Sequence, residues 1–253
     1  MFLTLALVLS YLAGSIPTSV WVGRAFYGLD VRAHGSGNAG ATNVYRVLGW
    51  KAGLFVLLFD AFKGWLAAGP IAVLGTMDTW SPFGSGPFAN PDAPAMVALR
   101  LACGVAAILG HSFPIFAGFR GGKGVATTAG VLLALTPGAL GLAFAAFVVA
   151  VALTRHVALG SLAAAVVYPA TLYVERLVLN RPVPAVLLAV GTAMGAWIFW
   201  THRGNIRRLA RGEESRLEFG KKVRGMDSGV DTGADHRAAE PSTDVPPSPS
   251  TPR

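Results

Sequence analysis

Three short polar stretches carry the residue types that bind anions and orient hydroxyls. The first is Arg32-Ala-His-Gly-Ser-Gly-Asn-Ala-Gly-Ala-Thr-Asn-Val-Tyr-Arg46. Gly35 to Gly40 formally satisfies G-x-G-x-x-G, a dinucleotide fingerprint only between a strand and a helix with an acidic residue further on. An apolar segment precedes it here and the acidic residue is absent, so that reading fails. What remains is a loop whose glycines, Gly35 among them, let backbone amides approach a ligand. Ser36, Asn38, Thr42, Asn43 and Arg46 supply side-chain donors. The second stretch runs from Gly110 to Gly124. It fails as a nucleotide P-loop, because Ala117 sits where a glycine is required and Gly124 where Ser or Thr must bind the metal. Its glycines Gly121, Gly122 and Gly124, with Lys123, lead directly into a helix starting near Val125. That arrangement makes an anion site suited to phosphate, without nucleoside triphosphate hydrolysis. In the third stretch, His202 to Glu214, His202 and Asn205 share a helical face and can meet a substrate hydroxyl together. Arg207, Arg208 and Arg211 read as a juxtamembrane anchor, and Glu214 can orient His202 or an arginine.

Other titratable residues read as structural. Asp60 and Lys63 stand at i,i+3 inside an apolar segment, where mutual pairing is expected. His111 and His156 fall at the ends of apolar segments and are assigned no chemistry. Cys103 is the lone cysteine, so there is neither a disulfide framework nor a Cys-based metal site. No Ser-His-Asp or Cys-His arrangement offers a covalent nucleophile. No histidine begins a His-x-x-x-x-Asp motif either: the fifth residues on are Ala39, Phe116, Ser161, Arg207 and Pro241.

The elements that must position these residues are membrane helices. Of 253 residues, 53% are hydrophobic and 13% charged, where a soluble domain averages about 25% charged. The apolar residues fall in blocks long enough to cross a bilayer. Spans are expected over 2–22, 52–76, 97–112, 125–135, 139–154, 158–175 and 184–200, with Thr136-Pro137-Gly138 breaking a charge-free run into two short helices. The first block has no basic residue before Arg24 and reads as a retained span rather than a cleaved signal. Arg24, Arg32, Arg46, Lys51, Arg120, Lys123, Arg155 and the cluster after the last span all lie on one side only if the span count is odd. The expectation is therefore an all-α integral membrane protein of seven helices, N-terminus outside and C-terminus cytoplasmic. Residues 1–224 form one transmembrane domain, and 225–253, rich in Pro, Ser and Asp, a disordered tail. The net charge of +8 suits anionic lipid headgroups; without interleaved aromatics it does not point to nucleic acid.

Taken together, GSGNAGATN with Arg46, the DAFKG of Asp60 to Gly64, GHSFPIFAGFRGGKGVAT and HRGNIRRLARGEE resemble the bacterial membrane glycerol-3-phosphate acyltransferase family that uses acyl phosphate as donor. The stretches cover most of residues 10–220 in the family's order; Ala39 and Gly204 are minor departures, and the tail has no counterpart. The resemblance implies seven helices, cytoplasmic motifs in the cell inner membrane, no cofactor, and no acyl-CoA or acyl carrier protein donor. It also implies a functional partner that makes acyl phosphate. Direct transfer needs two phosphates held together by cations and amides. One phosphate is expected on the 121–124 amides and Lys123, the glycerol near Ser36, Asn38, Arg46, His202 and Asn205. Either His202 or a substrate phosphate is the base, with Lys123, Asn205 and Ser36 completing the catalytic set. Gly35, Thr42, Asn43, Thr127, Ser161 and Glu214 complete the substrate-binding one. Phe113, Phe116 and Phe119 either line the acyl chain or anchor at the interface. A transporter of a phosphorylated small molecule is the alternative; it would place its site at the midplane between repeated halves, whereas these motifs share one surface and no repeat is visible.

Overall fold

The computed structural model describes residues 1–77, 90 and 93–217; the expectations for the tail and for most of the 77–96 loop lie outside these. The described chain is helical, with no strand: α1 (Phe2–Gly14), α2 (Thr18–Tyr27), α3 (Ala41–Leu48), α4 (Trp50–Leu66), continued through a π-turn (Ala67–Ile71) into α5 (Ala72–Leu74), α6 (Pro94–Ser112), α7 (Val125–Leu135), α8 (Pro137–Thr154), α9 (Val157–Leu177), α10 (Ala185–Thr201) and α11 (Arg203–Ala210). Single-turn 3₁₀ segments lie at Val31–Ala33 and Ile115–Ala117. Four helices among the described residues are long and apolar enough to cross a membrane: Trp50–Leu74, Pro94–Ala117, Pro137–Thr154 and Val157–Leu177. The count is six if the bent pairs α1–α2 and α10–α11 are each one span, and α7 is a shorter apolar helix.

Proline sets the breaks. The expected single span over 2–22 is instead two helices at 40°, because Pro17 lacks the N–H that would continue the ladder and precedes α2. Pro70 sits inside the widened π-turn, and Pro137 opens α8 at its first position after Thr136 leaves helical geometry. The expected interruption at Thr136-Pro137-Gly138 is thus present. The span expected over 97–112 begins three residues earlier, at Pro94.

Glycines set the closest helix approaches. A Cβ on Gly64 of α4 would collide with the Thr127 carbonyl of α7, and one on Gly130 of α7 with the Ala61 carbonyl of α4. α1 and α6 are joined in the same reciprocal way, Gly14 against Ala107 and Gly110 against Tyr11. Small residues do this work in membranes, where lipid is as apolar as leucine and packing replaces the hydrophobic effect. The converse shows on the outside, where Leu54, Leu58, Leu133, Leu142 and Val149 are exposed. A core of Leu101, Ile108, Val131, Leu132, Leu172 and Met194 ties α6, α7, α9 and α10 together.

Candidate active site

The first polar loop is held from below by Asn43, on the first turn of α3. Its Oδ1 accepts from the Ser36 amide (2.8 Å) and hydroxyl (3.1 Å), while Nδ2 donates to the carbonyls of Val31 (2.8 Å) and His34 (3.1 Å). Gly35, at φ +59, leaves no room for a side chain beside Asn43 Oδ1. Asp30 fastens the loop's base by accepting from Arg32 and Arg24, whose guanidinium groups hold its carboxyl well below the usual carboxylate range. Arg32 then reaches to the second loop, donating to the carbonyls of Ala117 (2.8 Å) and Arg120 (3.3 Å). The two loops are therefore tied into one ledge.

The second loop narrows the expectation drawn from its glycines. The amides of Gly121 and Gly122 donate to the carbonyls of Ser112 (3.2 Å) and His111 (3.1 Å), so neither is left for a phosphate. Lys123 and Gly124 do face the interior, followed by Val125 and Ala126, whose amides open α7 and have no intrahelical acceptor. Thr127 points elsewhere: its hydroxyl is buried without a partner and its carbonyl lies against Gly64. Thr128 takes the interior position that Thr127 was expected to hold.

At the α10–α11 corner, a chain of bonds joins the third stretch to the second. Lys123 Nζ donates to Asn205 Oδ1, Asn205 Nδ2 to Glu214 Oε1 (2.7 Å), and Arg208 Nε to Glu214 Oε2 (2.8 Å). Glu214 belongs to a short strap, residues 213–217, which crosses to Arg46 through the Ser215 carbonyl (3.1 Å) and to Arg155 through the Leu217 amide (2.7 Å). Burial pushes the Lys123 ammonium down to about 8; Glu214 opposes the shift and the neighbouring Arg208 and Arg46 add to it. His202, 3% exposed, is pushed down to about 4, first by burial and then by Lys123, with the Ile198 carbonyl and Glu214 opposing. Its Nδ1 lies 2.8 Å from the Ile198 carbonyl. A neutral ring must donate there, which leaves Nε2 as an acceptor. Arg46 has a buried Nε with no partner, and burial lowers its pKa.

These groups line the mouth of a cavity of about 290 Å³. Ser36, Asn38, Thr42, Asn43, Arg46, Lys123, Gly124, Ser161, His202, Asn205 and Glu214 reach it; Gly35, Gly121, Gly122 and Thr127 do not. Ser161 Oγ donates to Val157 O (3.1 Å) in the first turn of α9. Away from the mouth the lining turns apolar, with Leu132, Leu140, Ala143, Phe144, Phe147 and Met194. None of Phe113, Phe116 and Phe119 takes part. All three are exposed, and Phe113 packs edge-on against Trp197 (6.1 Å).

Asp60 and His111 also line the cavity, which sequence reasoning missed. The expected Asp60–Lys63 pair is present (2.8 Å), and the same oxygen faces Thr18 Oγ1 (3.3 Å) and His111 Nδ1 (3.7 Å). Lys63 also donates to the Ile16 carbonyl (3.1 Å) exposed by the α1–α2 break. Only the position of His111 at the head of the second loop hinted at this network.

A cationic mouth on an apolar limb suits a molecule with a phosphate at one end and a hydrocarbon chain at the other. Comparison with known proteins agrees. Residues 4–212 match the family model for glycerol-3-phosphate acyltransferase. The chain is 40% identical over 232 residues to the glycerol-3-phosphate acyltransferase of Chlorobaculum parvum, covering 85% of this chain and 97% of that one. It is 42% identical over 228 residues to that of Salinibacter ruber, covering 88% and 96%. Among solved structures it resembles PlsY, an integral membrane glycerol 3-phosphate acyltransferase, in its glycerol 3-phosphate form (33% identity, TM-score 0.69, covering 85% and 96%) and its lysophosphatidic acid form (TM-score 0.67, covering 85% and 95%). On the strength of a match that spans the first two polar loops, most of the third and the helices between them, this multi-pass membrane acyltransferase belongs to the glycerol-3-phosphate acyltransferase family.

Proposed function

We propose that the protein transfers a fatty acyl group from acyl phosphate to the sn-1 hydroxyl of glycerol 3-phosphate, releasing phosphate and 1-acylglycerol 3-phosphate. The observation that carries this reading is a single cavity joining Arg46, Lys123 and the α7 amino end to an apolar limb between helices. An acyl phosphate is an activated mixed anhydride, so the hydroxyl oxygen attacks the acyl carbon directly and the bond from that carbon to the phosphate oxygen breaks. Lys123, Arg46 and the first amides of α7 offset the charge of two phosphates. Ser36, Asn38 and Thr42 hold the glycerol and phosphate oxygens, Ser161, its hydroxyl donating within α9, lines the start of the acyl limb, and Asn43 and Gly35 shape the ledge that presents Ser36. Asn205 and Glu214 aim Lys123. His202 accepts a hydrogen bond from the attacking hydroxyl through Nε2. With its pKa near 4, it orients that hydroxyl without taking its proton, which goes to a substrate phosphate, whose second ionisation lies at about 6.

The same reading sets the topology: seven spans, with α7 and α8 as a hairpin about Thr136, the N-terminus outside, and the cavity mouth on the cytoplasmic face of the inner membrane. It rests on the basic loops that gather around the mouth. A donor this reactive calls for a nearby enzyme that makes it. The deciding experiment supplies palmitoyl phosphate and glycerol 3-phosphate to the purified protein. Phosphate and lysophosphatidic acid should appear at equal rates, with no product from acyl-CoA. Product from acyl-CoA instead, or phosphate without lysophosphatidic acid, overturns the donor assignment.

A further inference from the structure

Resting on the reading of the apolar limb as the acyl site, we propose that Tyr168, stapled to Thr136 at the α7–α8 break, is the floor that sets the longest acyl chain the enzyme uses. On α9 the lining residues Val157, Ala158, Ser161, Ala164, Ala165 and Tyr168 fall on one helical face. Five of them are Val, Ala or Ser, so this wall is shallow until it meets the tyrosine ring. On α10 the facing positions include Gly191 and Gly195, which contribute only backbone. Tyr168 is 3% exposed, and its Oη lies 2.9 Å from Thr136 Oγ1. Leu172, one turn beyond, is fully buried and belongs to the packed core rather than to the cavity. A Cβ on Gly191 would come within 3.0 Å of Tyr168 Cε1, so that glycine seats the ring across the limb.

The depth suits a ruler. From Val157 to Tyr168 the α9 wall runs about 16 Å at ~1.5 Å per residue, about half the ~30 Å hydrocarbon core and so about the depth one leaflet's chain occupies. The Thr136-Pro137-Gly138 break thereby gains a purpose beyond turning the chain, since leaving the helix at Thr136 delivers a hydroxyl to the tyrosine. One route competes with the floor. The limb is open sideways where Leu57 (45% exposed) and Phe144 (62% exposed) form its rim, and a chain leaving there would escape the ruler.

The test compares wild type, Tyr168→Ala and Ala143→Leu on saturated acyl phosphates from about 12 to about 20 carbons, a range bracketing one leaflet's depth. The readout is the ratio of kcat/KM for long over short donors within each preparation, which is independent of the fraction folded. Wild type should show a cut-off, with a fall of about tenfold or more for one methylene too many if the chain ends on the floor rather than leaving by the side opening. Tyr168→Ala should move the cut-off to longer chains, and Ala143→Leu, which fills the deep end from α8, to shorter ones. A wild-type profile flat across the series, or a cut-off unmoved in both variants, overturns the floor. Absence of transfer from every acyl phosphate in wild type instead brings down the donor assignment, and the floor with it.

Discussion

Lys123 titrates where an assay can see it. With its pKa pushed down to about 8 by burial, the cation that attracts phosphate is present below that pH and is lost as pH rises through it. The limb belongs in kcat/KM, which reports the free enzyme; in kcat it should move to higher pH, because a bound phosphate favours the ammonium. Lys123→Arg should remove the alkaline limb, and Lys123→Ala should raise KM for the phosphate-bearing substrates about tenfold or more. Unchanged kinetics in Lys123→Ala would reject the anion site. His202 makes a different prediction. If it only orients the hydroxyl, His202→Gln keeps an acceptor and loses within about tenfold, the worth of one hydrogen bond. A loss of 10²–10⁴, typical of a general base, would return the proton to the imidazole. Both residues were legible in the sequence because each lies in a short polar segment beside an apolar one. Thr127 and the Gly121 and Gly122 amides were misplaced for a physical reason. Composition marks a loop as donor-rich, but the phase of α7 and the carbonyls of His111 and Ser112 decide which donors face inward. Asp60 and His111 are far apart in sequence, and only the crossing of α4 with α6 brings them together.

At the scale of elements, the ledge and the cavity depend on how closely α4 approaches α7. Gly130→Ala would drive a methyl into the Ala61 carbonyl, and overpacking of this kind costs about 1–3 kcal/mol, occasionally more. Since Lys123 stands two residues before the start of α7, transfer should fall together with the unfolding temperature in detergent. Gly141→Ala on α8, where a methyl meets nothing within 4 Å, should be neutral or slightly stabilising from helix propensity. Equal behaviour of the two variants would contradict the crossing. Arg100 is a second device at this scale. It donates to the carbonyls of Ala68 (2.8 Å), within the π-turn around Pro70, and Ala134 (2.8 Å), in the last turn of α7, so a third helix satisfies backbone acceptors at two irregular helix positions. Arg100→Leu should destabilise by about 1.5–3 kcal/mol per bond lost, read as a lower unfolding temperature; an unchanged one would show that the carbonyls find other donors. The break at Thr136 was readable because threonine, proline and glycine are consecutive there. The one at Pro17 was not, because a single proline in an apolar run is equally compatible with a kinked span, and the polar partner of the freed Ile16 carbonyl, Lys63, lies in another helix.

Over the whole molecule, the proposed seven crossings rest on the arrangement of charge. The basic loops named in the sequence converge on the mouth: Lys123 reaches Asn205, Arg46 reaches Ser215, and Leu217 reaches Arg155. That count passed over Arg176 and Arg181, which lie at the far end of α9. There Arg181 pairs with Glu175 (3.2 Å) and Arg176 donates to the Val183 carbonyl (3.0 Å). The sides of the membrane can be read without disturbing the site. Cys103 is fully buried and should stay silent to a membrane-impermeant maleimide, so single cysteines at Lys51 and Leu179, both exposed, report on their own loops. If α7 and α8 cross separately about Thr136, Leu179→Cys reacts in intact cells and Lys51→Cys only after permeabilisation. If they act as one kinked crossing, α9 runs the other way and the two positions label from the same side. The first pattern is expected, because the strap bonds Leu217 to Arg155 and Ser215 to Arg46; the second would put Arg155 and Lys123 on opposite faces and overturn the proposed seven crossings.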